Sequence, residues 1–310
     1  MPSYTLNTKL PVPALAYGTG TKWFKRGDST SPISRDLVDA IKAALTVGVR
    51  HIDTAEIYNT EAEVGVAVRE FLAENNGTVT RTDLYITSKI YPGLGDVDGT
   101  VRKSLELLQT EYIDLYLIHA PFLDRVANLP ADYTISDAWR KLEAHHASGV
   151  LRSIGVSNFD LPHLDELVAG GSAVVPAVNQ IEFHPLLPQP ILRAGLTSRG
   201  IIAASYGPLV PLNNALETLQ ASEPGRAFLA ALDAPAARLG VDRSAVLLRW
   251  NLDQGHIVVS TSAKVERVVQ FLAIGSDKFA LTASERDAIS STGAAADKLR
   301  KFWPTGRFQE

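Results

Sequence analysis

The sequence predicts an α/β fold in which eight parallel strands close into a (β/α)8 TIM barrel. Short apolar runs alternate with longer amphipathic segments about eight times, without a break in composition along the 310 residues. The runs are almost continuously apolar, which is typical of parallel strands that are buried on both faces. Repeats of this kind favour a closed barrel, and an open doubly wound sheet is the competing architecture.

The predicted strands are the eight apolar runs. In chain order they read "ALAYGTG", "VRHID", "LYITSK", "IDLYLIHA", "LRSIGVSN", "AVNQIEF", "GIIAASY" and "GHIVVST". The segments between them repeat apolar residues at spacings of three and four and then stop at glycine, which predicts amphipathic helices. Examples are "SRDLVDAIKAALTVG", "EAEVGVAVREFLAENNG" and "SDAWRKLEAHHASG".

Three segments lie outside the repeat. The first segment, about 13 residues that include "YTLNTKLPVP", predicts a β-hairpin that could plug the N-terminal end of the barrel. Residues 207–225 predict a long loop after the seventh strand. After about residue 275 the chain adds a helix and then "RKFWPTGRFQE", which we interpret as a C-terminal lid segment. We interpret residues 1–310 as a single domain.

The composition argues against several classes of protein. The formal net charge is −4 and no long basic run is present, so neither a nucleic-acid partner nor a membrane partner is expected. The absence of cysteine excludes disulfides and cysteine-ligated zinc, and no metal site is predicted. We find no signal-peptide core, and no apolar run approaches the ~18 residues of a membrane span. We therefore expect a cytoplasmic protein that is a monomer or at most a weak dimer.

Polar or titratable side chains stand at the ends of nearly all the predicted strands. They are Asp53, Lys89, His119, Ser157, Asn158, Gln180, Tyr206, Ser260 and Thr261. In barrel enzymes the active site lies at this end of the strands. The aspartate, serine, threonine and asparagine side chains could equally cap the helices that follow. Lys89 and His119 are poor caps, and a buried lysine is costly unless it is paired, as it could be with Asp53.

Tyr58 follows Asp53 by five residues and adds a phenol to this set. A free phenol titrates near pH ~10, but a nearby ammonium group stabilises the phenolate and lowers that pKa. With a neutral His119 to orient a carbonyl oxygen, the set could give a proton to a carbonyl or take one from an alcohol. Reduction also requires attack on carbon, which a hydride from a nicotinamide would provide. A metal-free isomerase or lyase that uses His119 as its base is an alternative.

The sequence resembles the aldo-keto reductase family over its whole length. The motifs "GTGT", "HIDTAEIY", "TSK", "YIDLYLIHAP", "IGVSNF" and "VNQIEFHP" occur in the family's order and spacing. The resemblance implies a (β/α)8 barrel that binds NAD(P)H in an extended form. It also implies a catalytic tetrad with Tyr58 as general acid and Lys89 lowering its pKa. Asp53 would pair with Lys89, and His119 would orient the carbonyl.

The resemblance implies a cofactor site as well. Ser157, Asn158 and Gln180 match residues that bond the nicotinamide carboxamide, and Tyr206 matches the residue that stacks on the nicotinamide ring. Most members carry a Pro-Lys-Ser triplet after the eighth strand, whose lysine meets the 2′-phosphate of NADPH. Here the segment is "STSAKVERV", with Thr261 in the place of that lysine. The expected cofactor-binding residues are Thr21, Ser157, Asn158, Gln180, Tyr206, Ser260, Thr261, Ser262, Lys264 and Arg267.

Basic residues return three and six positions after Thr261, as Lys264 and Arg267. Cations in the first turn of a helix oppose its dipole, so their presence there makes most sense if an anion binds between them. We therefore expect them to bind the 2′-phosphate and the cofactor to be NADPH, with a solvated helix face as the alternative. The displaced lysine and "GTGTKWFK" resemble a fungal subgroup that reduces conjugated polyketones, ketopantoyl lactone and α-keto amides.

Aromatic residues in the strand-end loops and the tail are expected to line the substrate pocket. They are Trp23, Tyr91, Phe122 and Trp303, with Phe302 as a further tail candidate. Ala120 stands where many relatives have tryptophan, which would leave a roomier pocket for apolar or planar carbonyl compounds. The expected reaction is the NADPH-dependent reduction of an aldehyde, ketone, keto ester, keto lactone or keto amide to an alcohol. Reduction of cyclic imines is one alternative, and a non-catalytic NADPH-binding module like the family's potassium-channel β-subunits is another.

Overall fold

The protein forms a closed barrel of eight parallel strands in a computed structural model that describes residues 2–27, 31–303 and 308. Each strand pairs with the next in chain order, and the last pairs with the first. The barrel strands are β3 Leu15–Gly18, β4 His51–Asp53, β5 Tyr85–Ile90, β6 Leu115–Ile118, β7 Ile154–Ser157, β8 Val178–Glu182, β9 Ile202–Tyr206 and β10 Ile257–Ser260. The predicted (β/α)8 barrel is confirmed, and the open sheet is excluded.

Twelve α-helices lie in the described part of the chain. They are α1 Arg35–Thr46, α2 Glu61–Glu74, α3 Val97–Leu108, α4 Ile135–Ala147, α5 Leu161–Ala169, α6 Pro190–Ser198, α7 Val210–Asn214, α8 Leu216–Ala221, α9 Glu223–Leu239, α10 Arg243–Asp253, α11 Val265–Ala273 and α12 Ala283–Ala295. Short 3-10 helices occupy several loops, among them Thr21–Trp23 and Glu56–Tyr58. Among the described residues, no helix has the length and apolar character needed to cross a membrane.

The first helix shows how the local sequence sets these boundaries. Ser34 caps α1, because its hydroxyl accepts a hydrogen bond from the backbone N–H of Leu37. The apolar residues that follow at spacings of three and four are buried, which places one face of the helix against the barrel. Gly48, two residues beyond the helix, has a φ of +110°, a conformation that favours glycine.

The N-terminal hairpin forms as predicted and lies at the amino ends of the barrel strands. Its strands are β1 Ser3–Thr5 and β2 Pro11–Pro13, which pair antiparallel. Leu6 and Val12 are fully buried and pack against side chains from inside the barrel, including Leu117. The side chain of Asn7 donates to the carbonyl oxygen of Pro176, just before β8. The hairpin therefore covers the amino ends of the barrel strands.

The prediction of a long loop over residues 207–225 is wrong. Most of this segment is helical, since it contains α7, α8 and the start of α9. Leu219 of α8 is buried in a second apolar cluster that includes Phe228 and Leu232 of α9. The helical conformation is therefore stabilised by packing against α9, which the composition of the segment did not reveal.

Candidate active site

The strand ends of β4 and β5 form a buried ion pair. The ammonium group of Lys89, which is 0% exposed, donates to Asp53 Oδ1 at 2.7 Å and to the carbonyl oxygen of Thr54 at 2.9 Å. The side-chain amide of Gln180 donates to the other carboxylate oxygen of Asp53 at 2.8 Å. Both charges are therefore paired and hydrogen-bonded, as burial requires.

Tyr58 and His119 complete the predicted tetrad beside this pair. Tyr58 ends the 3-10 helix that follows β4, and His119 comes directly after β6. The Tyr58 hydroxyl lies 3.4 Å from His119 Nε2, and the Lys89 ammonium lies 5.0 Å from the centre of the Tyr58 ring. The four side chains come from three neighbouring strand ends, so the parallel pairing of β4, β5 and β6 brings them into one cluster.

Burial and charge together determine the protonation of this cluster. Burial raises the pKa of Tyr58, and the charge of Lys89 opposes it without cancelling it, so the phenol is protonated at neutral pH. Burial and then the charge of Lys89 hold the pKa of His119 well below its usual range, so its ring is neutral. Burial lowers the pKa of Lys89, but Asp53 and Tyr58 raise it by more, so the ammonium stays charged. Lys89 lowers the pKa of Tyr58, as the sequence analysis expected, but burial raises that pKa by more.

The predicted nicotinamide residues form a chain of hydrogen bonds beside the tetrad. The Tyr206 hydroxyl donates to Asn158 Oδ1 at 2.6 Å. Asn158 Nδ2 donates to the carbonyl oxygen of His119 at 2.8 Å and to the Ser157 hydroxyl at 3.0 Å. That hydroxyl in turn donates to the carbonyl oxygen of Gln180 at 2.8 Å. The structure therefore brings Ser157, Asn158, Gln180 and Tyr206 together with His119.

A cavity of about 470 Å³ lies at the carboxyl end of β10. Of the predicted cofactor residues, Ser260, Thr261, Ser262 and Arg267 line its wall. Lys264 is exposed at the N-cap of α11 and lies outside this wall, as does Thr21 in its 3-10 helix. Neither Lys264 nor Arg267 forms an ion pair with any residue that the structure describes. Of the two cations that the sequence had grouped, only Arg267 therefore lines this cavity.

Three of the predicted pocket aromatics form one cluster above His119. The Trp303 ring lies 5.7 Å from that of Tyr91, 5.3 Å from that of Phe122 and 6.2 Å from that of His119. The Tyr91 hydroxyl donates to the carbonyl oxygen of Phe122 at 2.8 Å. Phe302, the further tail candidate, lies against Tyr206 instead, with 5.5 Å between the ring centres.

Trp23 makes no ring contact with this cluster among the described residues. It ends the 3-10 helix Thr21–Trp23, and the Lys22 ammonium lies 4.8 Å from the centre of its ring. Phe24, which the sequence analysis did not select, contacts the proposed acid, with 6.1 Å between its ring centre and that of Tyr58. Of the two aromatic side chains of this loop, Phe24 is therefore the one whose ring contacts Tyr58.

Two carboxylates near the site have partners that the sequence analysis did not identify. Glu56, in the 3-10 helix that ends at Tyr58, accepts from the backbone N–H groups of Tyr91 and Gly93 in the next loop. Glu182, which was not selected, accepts from the backbone N–H groups of two tail residues, Lys301 and Phe302, at 2.8 Å each. The sequence does contain a signal for Glu182. It comes two residues after Gln180 in a buried strand, so the two side chains lie on the same side of that strand.

The comparisons with known proteins assign the chain to a family. Residues 15–293 match the Aldo/keto reductase family. An NAD/NADP-dependent indole-3-acetaldehyde reductase of Schizosaccharomyces pombe is 36% identical over 94% of this chain and 95% of its own length. An NADPH-dependent alpha-keto amide reductase of Saccharomyces cerevisiae is 33% identical over 97% of this chain and 93% of its own length.

A solved structure agrees with these sequence matches. The aldo-keto reductase of Bombyx mori in complex with NADP superposes with a TM-score of 0.82 at 32% identity, covering 96% of this chain and 95% of that one. The chain therefore belongs to the aldo/keto reductase family and is an oxidoreductase that acts on carbonyl groups. The predicted resemblance, including its fungal relatives, is confirmed.

Proposed function

We propose that the protein reduces a carbonyl compound to an alcohol with NADPH as the hydride source and Tyr58 as the proton donor. The observation that carries this proposal is the Tyr58 hydroxyl, which lies 3.4 Å from His119 Nε2 and beside the buried Lys89 ammonium. Burial raises the pKa of Tyr58 and lowers that of His119, which favours a protonated phenol and a neutral imidazole. A set of this kind is suited to donate a proton to a carbonyl oxygen.

The residues present fit a dinucleotide with a 2′-phosphate. Polar side chains of Ser157, Asn158 and Gln180 lie beside the tetrad, where a carboxamide could bond to them. At the other end, the cavity beyond β10 offers an arginine with no carboxylate partner among the described residues, which suits a phosphate. When bound, the nicotinamide supplies the hydride that the tetrad lacks. The names of the yeast relative and of the Bombyx mori structure support NADPH as the cofactor.

The tetrad residues then have separate tasks. His119 Nε2, the ring nitrogen on the Tyr58 side, hydrogen-bonds and orients the carbonyl oxygen. Tyr58 gives its proton to that oxygen, and the Lys89 ammonium stabilises the phenolate that remains. Asp53 keeps the ammonium charged and fixed in position. Positioned proton transfer of this kind typically contributes a factor of ~10² to 10⁴ in rate.

We further propose that the substrates are apolar or planar carbonyl compounds, such as ketones, keto esters, keto lactones and keto amides. The support is the aromatic wall of Tyr91, Phe122 and Trp303 above His119. Aromatic walls bury flat apolar groups well but offer few hydrogen bonds to an open-chain sugar. The alpha-keto amide activity named for the yeast relative is consistent with this class.

The test is NADPH consumption across a panel of carbonyl compounds and cyclic imines, for the wild type and Tyr58→Phe. We expect kcat of the variant to fall by at least ~10² while NADPH binding, measured by fluorescence, is unchanged. Tyr85→Phe is the matched control, because the Tyr85 hydroxyl is buried in the barrel without a hydrogen-bond partner in the described residues. Unchanged activity of Tyr58→Phe would refute the proposed acid. A wild type that reduces no compound of the panel would favour a binding module.

A further inference from the structure

A buried carboxylate of the barrel binds the backbone of the C-terminal tail at residues 301 and 302. Glu182, the last residue of β8, is 0% exposed, although it lies only two residues beyond the Gln180 that bonds Asp53. Its Oε1 accepts from the backbone N–H of Lys301 and its Oε2 from that of Phe302, each at 2.8 Å. Hydrogen bonds to a carboxylate are about twice as strong as neutral ones, so these two hold the tail firmly.

Barrel residues offset only part of the cost of burying the Glu182 carboxylate. Within the described residues, its other hydrogen bond comes from His184 Nε2, at 3.3 Å from Oε1. Burial lowers the pKa of His184, so this partner is neutral at physiological pH. The basic side chain whose charge acts on Glu182 is Arg300, which belongs to the tail. The tail therefore contributes two N–H donors and a cation to the surroundings of this buried carboxylate.

Two further features show that the tail is held in a particular conformation. Trp303 has a φ of +60°, a left-handed backbone conformation that large side chains adopt only where contacts hold them. Gly207, just after β9, has a φ of +66°, and a Cβ there would lie 3.3 Å from the Phe302 ring. A side chain at residue 207 would therefore crowd the tail where it lies against Tyr206.

We propose that Glu182 is a positioning residue for the substrate site: its carboxylate clasps residues 301 and 302 and so places the Trp303 ring over His119. This inference rests on the proposed carbonyl reduction, since Trp303 is taken as a substrate contact. Glu182 binds the backbone of the tail and forms no hydrogen bond with Tyr91, Phe122 or Trp303 among the described residues. It acts by fixing the backbone from which the Trp303 side chain extends. The position of that ring then determines which substrates can bind against aromatic side chains.

Limited trypsin digestion tests the clasp independently of any activity. Trypsin cleaves after arginine and lysine, and the two N–H groups that Glu182 binds belong to the peptide bonds after Arg300 and after Lys301. We expect Glu182→Gln to speed release of the C-terminal peptide by about tenfold or more, because one charge-assisted acceptor is replaced by an amide. Glu61→Gln is the matched control, since Glu61 is also a buried carboxylate but contacts α3 and β5 rather than the tail. A wild-type release rate in Glu182→Gln would overturn the clasp.

Steady-state kinetics test whether the clasp acts through Trp303. For an aromatic ketone, we expect KM to rise by about threefold to tenfold in Glu182→Gln, as in Trp303→Ala, because the aromatic wall is lost. For a two-carbon aldehyde, which is too small to need that wall, both KM and kcat should stay unchanged. The double variant should be no worse than Trp303→Ala alone. Additive effects, or equal losses for both substrates, would show that Glu182 does not act by placing Trp303.

A tail-side variant keeps the proposal testable if Glu182→Gln does not fold. Lys301→Pro removes one of the two N–H donors and leaves every barrel residue intact. It should produce the same rise in KM for the aromatic ketone, and a wild-type KM would contradict the proposal. If the wild type reduces no carbonyl at all, the proposed function fails, whereas the trypsin result still decides whether the clasp exists.

Discussion

The basic residues at the carboxyl ends of the strands fall into two groups that the protein treats differently. Lys89 is fully buried, and two oxygen atoms lie within 2.9 Å of its ammonium group. Lys264 and Arg267 are exposed and have no ion-pair partner among the described residues. The first group belongs to the proposed acid site, and the second lies at the proposed phosphate site.

The difference follows from the cost of desolvating a charge. A buried ammonium without partners would lose its proton, so the protein has to satisfy Lys89 in advance with Asp53 and Thr54. An exposed cation is already solvated by water and remains available for an incoming anion. The fold itself therefore provides the partners of the groups proposed for the chemical step. The cations proposed for phosphate recognition have no ion-pair partner among the described residues and can bind the phosphate of the ligand.

The largest effect is expected from removing the buried cation. Lys89→Met leaves the Asp53 carboxylate buried without its charge partner, so the free energy of unfolding should fall by ~3–5 kcal/mol. Urea denaturation measures this, with Arg267→Met as the exposed counterpart, for which a change below ~0.5 kcal/mol is expected. Equal losses in the two variants would contradict the distinction. Replacing both members of the pair, Asp53→Asn with Lys89→Met, should recover part of the loss.

A buried carboxyl without a close cation extends the comparison. Glu61, the first residue of α2, accepts from the Ser88 hydroxyl at 2.5 Å, and burial raises its pKa from 4.5 to about 7. The folded state therefore binds this proton more tightly than the unfolded state between pH 4.5 and about 7. Stability should fall as pH rises through that window, by ~3 kcal/mol in total.

The variant Glu61→Gln should remove this dependence. It should match the wild type near pH 4 and be more stable above pH 8, as measured by urea denaturation at both values. Glu74→Gln, at the exposed end of the same helix, serves as the control and should leave the pH profile unchanged. If the profiles of wild type and Glu61→Gln have the same slope, the carboxyl is not held neutral by burial.

A smaller, ligand-dependent effect is expected at the exposed group. Arg267→Ala should weaken NADPH binding about tenfold or more through loss of a charge-assisted contact, and leave NADH binding and stability unchanged. Lys264→Ala should weaken NADPH binding less, because Lys264 lies outside the wall of the cavity. Fluorescence titration with both cofactors measures this. An intact preference for NADPH in the double variant would refute the assignment of these cations to the 2′-phosphate.

Site residues could be predicted from the sequence where a polar side chain at a strand end had no ordinary structural role, such as capping a helix. Lys89 and His119 qualified because neither caps a helix well. Glu182 did not stand out, because its partners are backbone N–H groups more than a hundred residues away in the sequence. The partners of Glu56 could not be identified from the sequence either, since they lie in the loop after the next strand.

By itself the sequence determined the order of the eight barrel strands, the end of the barrel where the polar side chains gather, and the family. These properties follow from periodicity, glycine stops and motif spacing, which are local and can be read along the chain. Only the tertiary structure decided that Val210–Asn214 and Leu216–Ala221 are helical, that Arg267 but not Lys264 lines the cavity beyond β10, and that the tail is held by Glu182. Each of these depends on which distant surfaces meet when the barrel closes, and local patterns do not encode such contacts.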